Sequence, residues 1–295
     1  MGIDARLPIP TTAGWLPAGM IKPGDEIFSF SGQPVRVLSV QQYTPPACYK
    51  LLLRDGLTLV VDARTGIPCY DFKARRSLNG WSREQFRSDS TVLQPLGPEA
   101  ILSQQFGRCR VPVCQPLRPP ERYLPVDPYI FGRWLTDRSQ KRSQTRTDVI
   151  RELLERYLEI PTHIPEEYLF ASFEQRLALL RGIVSTKPRA FRQKTKRFTI
   201  DVNDRRLARQ IQGLLESFGI QTRNSTCRTN NRHRIMFRTI LRLSEDQVPV
   251  DRPNLLESRR IEQILSVPVR ECVYIMTDDP NNTFLVSEGY LGVSL

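Results

Sequence analysis

Only two histidines, His163 and His233, stand in the chain, too few for a histidine triad or a multi-histidine metal site. The six cysteines, Cys48, Cys69, Cys109, Cys114, Cys227 and Cys272, are scattered, and only Cys109 and Cys114 are close. No second pair or histidine completes a zinc spacing, so buried free thiols are expected. The strongest chemical signal is positive charge. From Lys187 to Arg242 there are fifteen Lys and Arg against three acids. Lys187, Arg189, Arg192, Lys194, Lys196 and Arg197 precede one short strand pattern, and Arg223, Arg228, Arg232, Arg234 and Arg238 lie on or beside a hairpin pattern. On a β-ribbon alternate residues share a face, so Arg232, Arg234 and Arg238 can address one row of phosphates. Inherited charge without a present ligand is the competing reading. The interleaved Phe191, Phe198 and Phe237 read as core residues rather than stacking platforms.

The whole chain has the same bias. Its 295 residues carry a formal net charge of +12, which points to an anionic partner, nucleic acid before membrane. No apolar run is long enough for a bilayer span. The start, "MGIDARLPIPTTAGW", has neither the layout of a signal peptide nor the Ser or Thr of a myristoylation motif, which is Arg6 here. The expectation is a cytoplasmic protein with no membrane and no small-molecule substrate.

Several elements must position these residues. "GDEIFSFSGQPVRVLSV" alternates around Ser31-Gly32, and "YKLLLRDGLTLVVDA" around Asp55-Gly56; both read as hairpins. "QPLRPPERYLPVDP" is proline-dense and reads as a linker. Helices are expected for "PYIFGRWL" after Asp127, for "TDVIRELLERYLE", and for "EQRLALLRGIVS", where Leu177, Leu180, Ile183 and Val184 share a face and Gly182 permits a close neighbour. "FTIDV" is a strand, and "DRRLARQIQGLLESFG" is a helix ending at Gly219 with Leu207, Ile211, Leu214, Leu215 and Phe218 as its core stripe. Two strands around an Asn-rich turn follow. "VPVRECVYIMTDDPNNTFLVSEGYLGV" returns to β.

Together these stretches resemble an intein, a Hint-type splicing domain interrupted by a LAGLIDADG homing-endonuclease domain. "LPIPTTAGW…IKPGDEIFSFSGQPVRV" is similar to the opening of a Hint domain, and "SVPVRECVYIMTDDPNNTFLVSEGYLGV" to its closing strands. "PYIFGRWLTDRS" resembles the first LAGLIDADG helix, and "IPEEYLFASFEQRLALLRGIVSTKP" the lead-in and the second. The resemblance implies an α+β protein. A β-rich, horseshoe-shaped Hint-like domain would form from residues 1–120 and 259–295. A reduced LAGLIDADG-like α/β domain would occupy 121–258, with a truncated first half, because only about thirty residues separate Asp137 from "HIPEEYL".

The resemblance also says where reactive groups belong. A splicing domain needs a thiol or hydroxyl at its first junction residue. Aligning Gly14-Trp15 with the family puts that junction near Asp4 or Ala5, neither a nucleophile. Thr65, in "DARTGIP", stands near the place of a family histidine, and Ser294 and Leu295 stand where inteins end in His-Asn. Splicing is therefore expected to be absent, and the start methionine and the "GVSL" end fit a free-standing protein. LAGLIDADG nucleases hold divalent metal between one acid at the foot of each of two packed helices, whose backbones Gly132 and Gly182 would let approach here. Asp137 is the first; Lys187 replaces the second, where an ammonium competes with a cation.

The expected function is a domesticated intein relic, without splicing or nuclease activity and without metal or other cofactor. It would bind nucleic acid, DNA before RNA, or dock as an accessory subunit in a nucleoprotein assembly. The alternatives are an Mg²⁺-dependent homing endonuclease using Asp137 with Asp127, Asp148 or Glu174, and a purely structural protein–protein module.

Overall fold

The computed structural model describes residues 1–71, 94–105, 109–136, 161–185, 197–226, 233–238 and 258–295. The chain divides into two compact units, Met1–Gln115 with Leu255–Leu295, and Pro116–Asn254. Both ends thus build one unit and the middle of the chain builds the other. The divisions fall at 115/116 and 254/255 rather than at 120/121 and 258/259.

The first unit is all β apart from short helical turns. Its first seven strands are β1 (Ile3–Asp4), β2 (Pro8–Pro10), β3 (Trp15–Pro17), β4 (Glu26–Phe28), β5 (Pro34–Tyr43), β6 (Cys48–Leu53) and β7 (Thr58–Asp62). They continue as β8 (Ile67–Asp71), β9 (Gln94–Leu96) and β10 (Cys109–Pro112). In the second unit lie β11 (Arg197–Val202), β12 (Thr222–Thr226) and β13 (His233–Arg238). The last four strands, β14 (Ser258–Val267), β15 (Cys272–Thr277), β16 (Thr283–Val286) and β17 (Leu291–Ser294), return to the first.

Ten strands form one sheet in the order β4-β5-β15-β1-β7-β6-β14-β10-β8-β9. The C-terminal β14 and β15 lie inside it, β14 between β6 and β10, β15 between β5 and β1. Neither end could complete this sheet alone. The two predicted hairpins are present, with Gly32 (φ 78°) and Gly56 (φ 89°) supplying the positive φ their turns need. Ile3, Ile9, Ile27, Val61, Val273, Ile275 and Phe284, all fully buried, anchor the core. Cys69 and Cys109 meet as a disulfide between β8 and β10, with Cα atoms 5.8 Å apart. This corrects the expectation of free thiols; the partner of Cys109 is forty residues back, not nearby Cys114. Cys48 and Cys272 form no disulfide and are buried, and Cys114 is buried as well.

Among its described residues the second unit holds three longer helices, α1 (Pro128–Thr136), α2 (Phe173–Ser185) and α3 (Arg205–Glu216), a single helical turn at Glu166–Leu169, and a sheet in the order β11-β13-β12. Asp127 starts α1 by accepting the Ile130 N–H at 3.0 Å, and Asp204 starts α3 by accepting that of Leu207 at 2.6 Å. α3 lays Leu207, Ile211, Leu214, Leu215 and Phe218 into the core against Ile200, Val202, Ile235 and Phe237. Gly219, at φ 69°, ends that segment. The proline-dense stretch has no regular structure but is bound to the unit. Leu117 donates to Ser217 at 2.9 Å, and the Gln175 side chain clamps both main-chain groups of Arg122 at 3.1 and 2.6 Å. The predicted helix over 148–159 lies outside the described residues. No described helix is long and apolar enough to cross a membrane.

Candidate functional site

α1 and α2 pack at backbone distance. A Cβ on Gly132 would overlap the Leu179 carbonyl oxygen and come within 3.0 Å of the Ile183 nitrogen; one on Gly182 would overlap the Tyr129 carbonyl and come within 2.9 Å of the Arg133 nitrogen. The two contacts repeat at an offset of fifty positions: 132 with 182, 129 with 179, 133 with 183. The seam is therefore a pseudo-two-fold. Thr136 Oγ1, at the end of α1, reaches the carbonyl of Ile183 near the end of α2 at 3.4 Å, so the helices run in the same direction and their C-terminal tips lie together. The same offset makes Asp137 the numerical counterpart of Lys187. Both lie outside the described residues, as does Asp148. Asp127 and Glu174 stand at the opposite, N-terminal starts of α1 and α2. Neither can serve as a second acid at the tips, which corrects their candidacy.

Arg176 was not anticipated. It sits on the buried stripe of α2, one turn before Leu180, with its side chain fully enclosed. Its Nε donates to Ala171 O at 2.9 Å, one terminal nitrogen donates to Leu117 O at 2.6 Å, and the other donates to the Ser217 hydroxyl. Its guanidinium lies 4.9 Å from the centre of the Phe218 ring. The cation thus ties α2 to the proline-dense segment and to the end of α3. A charged residue at core spacing was the available signal.

The three-stranded sheet sorts its residues by alternation. Ile200, Val202, Thr222, Ile235 and Phe237 face the core. Arg223 and Arg234 are exposed, and Arg197 and Arg238 are backbone partners across β11 and β13. Arg234 makes a two-pronged ion pair with Asp201, at 2.9 and 3.0 Å, which offsets part of the charge expected on this face. Asp201 is a partner the sequence reading missed. Lys187, Arg189, Arg192, Lys194, Lys196, Arg228 and Arg232 lie outside the described residues. The His163 imidazole is held below its usual range by burial and by the neighbouring Arg206 charge, with Asp204 opposing.

In the first unit the two ends of the chain meet at consecutive residues. The Gly2 N–H donates to Thr65 Oγ1 at 2.9 Å, and the Thr65 hydroxyl donates to Gly2 O at 2.6 Å. Gly66 exchanges two main-chain hydrogen bonds with Ser294, at 2.9 and 2.8 Å. Asn282, at φ 45°, donates its side-chain amide to Leu295 O at 2.9 Å. Thr65 therefore addresses Gly2 rather than Asp4 or Ala5, and Asp4 instead receives Arg270 at 3.0 Å. Beside Gly2 the Asp62 side chain is fully buried. It accepts the Tyr43 hydroxyl at 2.6 Å, the Arg64 N–H at 3.0 Å and the Met1 ammonium at 3.2 Å. Burial alone would raise the Asp62 carboxyl, but these donors outweigh it and hold it below the usual carboxylate range. Tyr43 is pushed far above the ordinary phenol, first by burial and then by its bond to Asp62. A Cβ at Gly2 would come 2.7 Å from the Tyr43 oxygen, so the corner has no room for a side chain there.

Comparison with known proteins bears on both units. Residues 174–248 match the LAGLIDADG-like domain family. The chain is 28% identical over 255 residues to the replicative DNA helicase DnaB of Mycobacterium intracellulare, covering 77% of this chain and 44% of that protein. It spans less than half the length of that relative. Among solved structures it is similar to the MchDnaB-1 intein (12% identity, 99% of each chain, TM-score 0.38) and to the Msm DnaB1 intein splicing domain bound with zinc (10% identity, 99% of each chain, TM-score 0.35). Residues 174–248 are a LAGLIDADG-like domain, and the chain as a whole is similar to solved inteins.

Proposed function

We propose that this chain is an intein-derived protein that neither splices nor cleaves DNA, and that it binds nucleic acid, DNA before RNA, through its second unit. The observation that carries the reading is the pair of exposed arginines, Arg223 on β12 and Arg234 on β13, in a sheet whose β11 and β13 also pair Arg197 with Arg238 and whose described strands hold Asp201 as their one acid. A duplex phosphate backbone is the ligand such a face fits. The loss of splicing rests on residue types. Thr65, Ser294 and Leu295 occupy the corner where the family places histidine, histidine and asparagine. The loss of cleavage, and with it of any resident metal, rests on Lys187 as the counterpart of Asp137, where an ammonium would compete with a cation. The name of the helicase relative places a comparable sequence within a DNA-handling protein. It makes docking in a nucleoprotein assembly the second part of the proposal.

Anisotropy titrations with labelled duplex DNA, single-stranded DNA and RNA test this. Affinity should fall linearly with salt on logarithmic axes, and Arg223→Ala should flatten the slope by about 0.9 on duplex DNA. Indifference to all three ligands at low salt would remove the nucleic-acid reading. The intact glycine seam favours a second reading, the homing endonuclease. Plasmid cleavage with Mg²⁺ or Mn²⁺, abolished by Asp137→Ala, would put it first.

A further inference from the structure

Cys48, on β6, and Cys272, on β15, come from opposite ends of the chain, yet both are fully buried and pack together with Val60 in one small cluster. Next to burial, Cys48 is the group that bears most strongly on the Cys272 thiol. The two strands are not neighbours, because β1 and β7 lie between them in the sheet order. The ladder does not join them; the side chains do. The corner around them is polar: Asp4 faces Cys272 across the β1–β15 ladder, and Asp62 faces Cys48 across the β6–β7 ladder. A pair of methyl-bearing side chains would fill this space as well as two thiols, without placing two oxidisable sulfurs in contact.

We propose that Cys48 and Cys272 are a redox-responsive pair, a dithiol in the reduced chain and a disulfide after oxidation, which staples the two separated pieces of the first unit. The reaction balances with a low-molecular-weight disulfide such as oxidised glutathione. One cysteine thiolate attacks a glutathione sulfur and expels one glutathione. The other cysteine then attacks the mixed disulfide and expels the second. Two electrons pass to glutathione, and the two cysteine protons leave to water and the glutathione thiolates. Burial, then the neighbouring Cys48, pushes the Cys272 thiol up to about 12, so the closed protein presents little thiolate and reaction waits for local opening. The bond would matter because everything between residues 115 and 255, the whole second unit, lies inside the loop it closes. The pieces 1–115 and 255–295 would stay covalently joined even if the second unit were cut.

The test uses the full chain equilibrated with oxidised glutathione, acid-quenched, alkylated in denaturant and digested for mass spectrometry. The expected result is a linked peptide pair containing Cys48 and Cys272, short by the mass of two hydrogens and released by dithiothreitol. After proteolytic nicking in the second unit, the oxidised chain should run as one band without reductant and as fragments with it. Cys272→Ser should abolish both signals. If that variant fails to fold, Cys48→Ser or the wild-type peptide map alone decides. Recovery of both cysteines alkylated, each carrying its own glutathione, or each linked to Cys114 or Cys227 would overturn the proposal.

Discussion

The seam between α1 and α2 and the corner where the chain ends meet are both places where main chains are brought close, but they are held by different physics. At the seam the fit is steric. Two glycines let two helices touch, and no charge takes part in the contact itself. At the corner the fit is electrostatic. A buried carboxylate, a phenol and a hydroxyl saturate Gly2 and its neighbours with hydrogen bonds. The seam should be insensitive to pH and salt, and the corner should titrate. The contrast also separates what each place can lose. A tip residue beyond a steric seam can change charge without loosening the pair, whereas in the corner each polar group is a partner of another.

The largest effect tests the steric half. Gly132→Ala and Gly182→Ala should each destabilise the protein by about 3 kcal/mol, since the added carbon meets carbonyl oxygens that only a helix shift can clear. The pseudo-two-fold requires the two losses to agree within about 1 kcal/mol. Urea unfolding at pH 7 and at pH 5 should give the same loss. One glycine tolerating alanine while the other does not would break the symmetry on which the pairing of positions 137 and 187 rests.

What the sequence disclosed follows the same division. Gly132 and Gly182 could be read in advance, because a glycine on an apolar helix face has few other uses. So could the stripes of α2 and α3 and the turns at Gly32 and Gly56, which are set by local spacing. The partners of polar groups could not. Asp62, Tyr43 and Asp201 look ordinary in sequence, and Arg176 shows there only as a charge at core spacing; the roles of all four depend on segments that only the fold brings together. Thr65 was found, but not its register on Gly2, because that is fixed by the pairing of β1 with β7 and β15. The Cys69–Cys109 contact was missed for the same reason: it depends on the pairing of β8 with β10, and the scattered cysteines read as free thiols.

The next effect tests the electrostatic half. Asp62→Asn should cost about 2 kcal/mol at neutral pH, because it removes a buried acceptor that serves three donors. The carboxyl is held below its unfolded value. Its contribution is therefore complete above the ordinary aspartate range, about pH 4, and is lost as pH falls through the depressed folded value. Unfolding midpoints followed downward from pH 6 should decline less in Asp62→Asn than in wild type, whereas both glycine variants should keep the wild-type slope. Parallel acid curves in all three would show that the corner does not titrate as argued.

Tyr43→Phe probes the same network from the alkaline side with a smaller loss, about 1 kcal/mol at neutral pH. The folded phenol is raised above its unfolded value, so its contribution is full below about pH 10 and fades as pH climbs beyond it. The gap between wild type and Tyr43→Phe should therefore narrow in denaturant titrations taken above pH 10.

The smallest stability effect belongs to neither place and sets the scale for both. The Asp201–Arg234 pair is exposed on the outer face of its sheet, so breaking it with Asp201→Asn should change stability by less than about 0.5 kcal/mol. Its consequence should appear in binding instead. Removing the carboxylate takes a negative charge and the ion pair with Arg234 off this face, and affinity for duplex DNA at low salt should rise, with a steeper salt dependence. A variant that left stability and DNA binding both unchanged would mark this face as inert, and the charge on β11, β12 and β13 as an inheritance from a nuclease ancestor. A variant that tightened binding without touching stability would show that Asp201 moderates the grip, a role that makes sense for a face still in contact with phosphate.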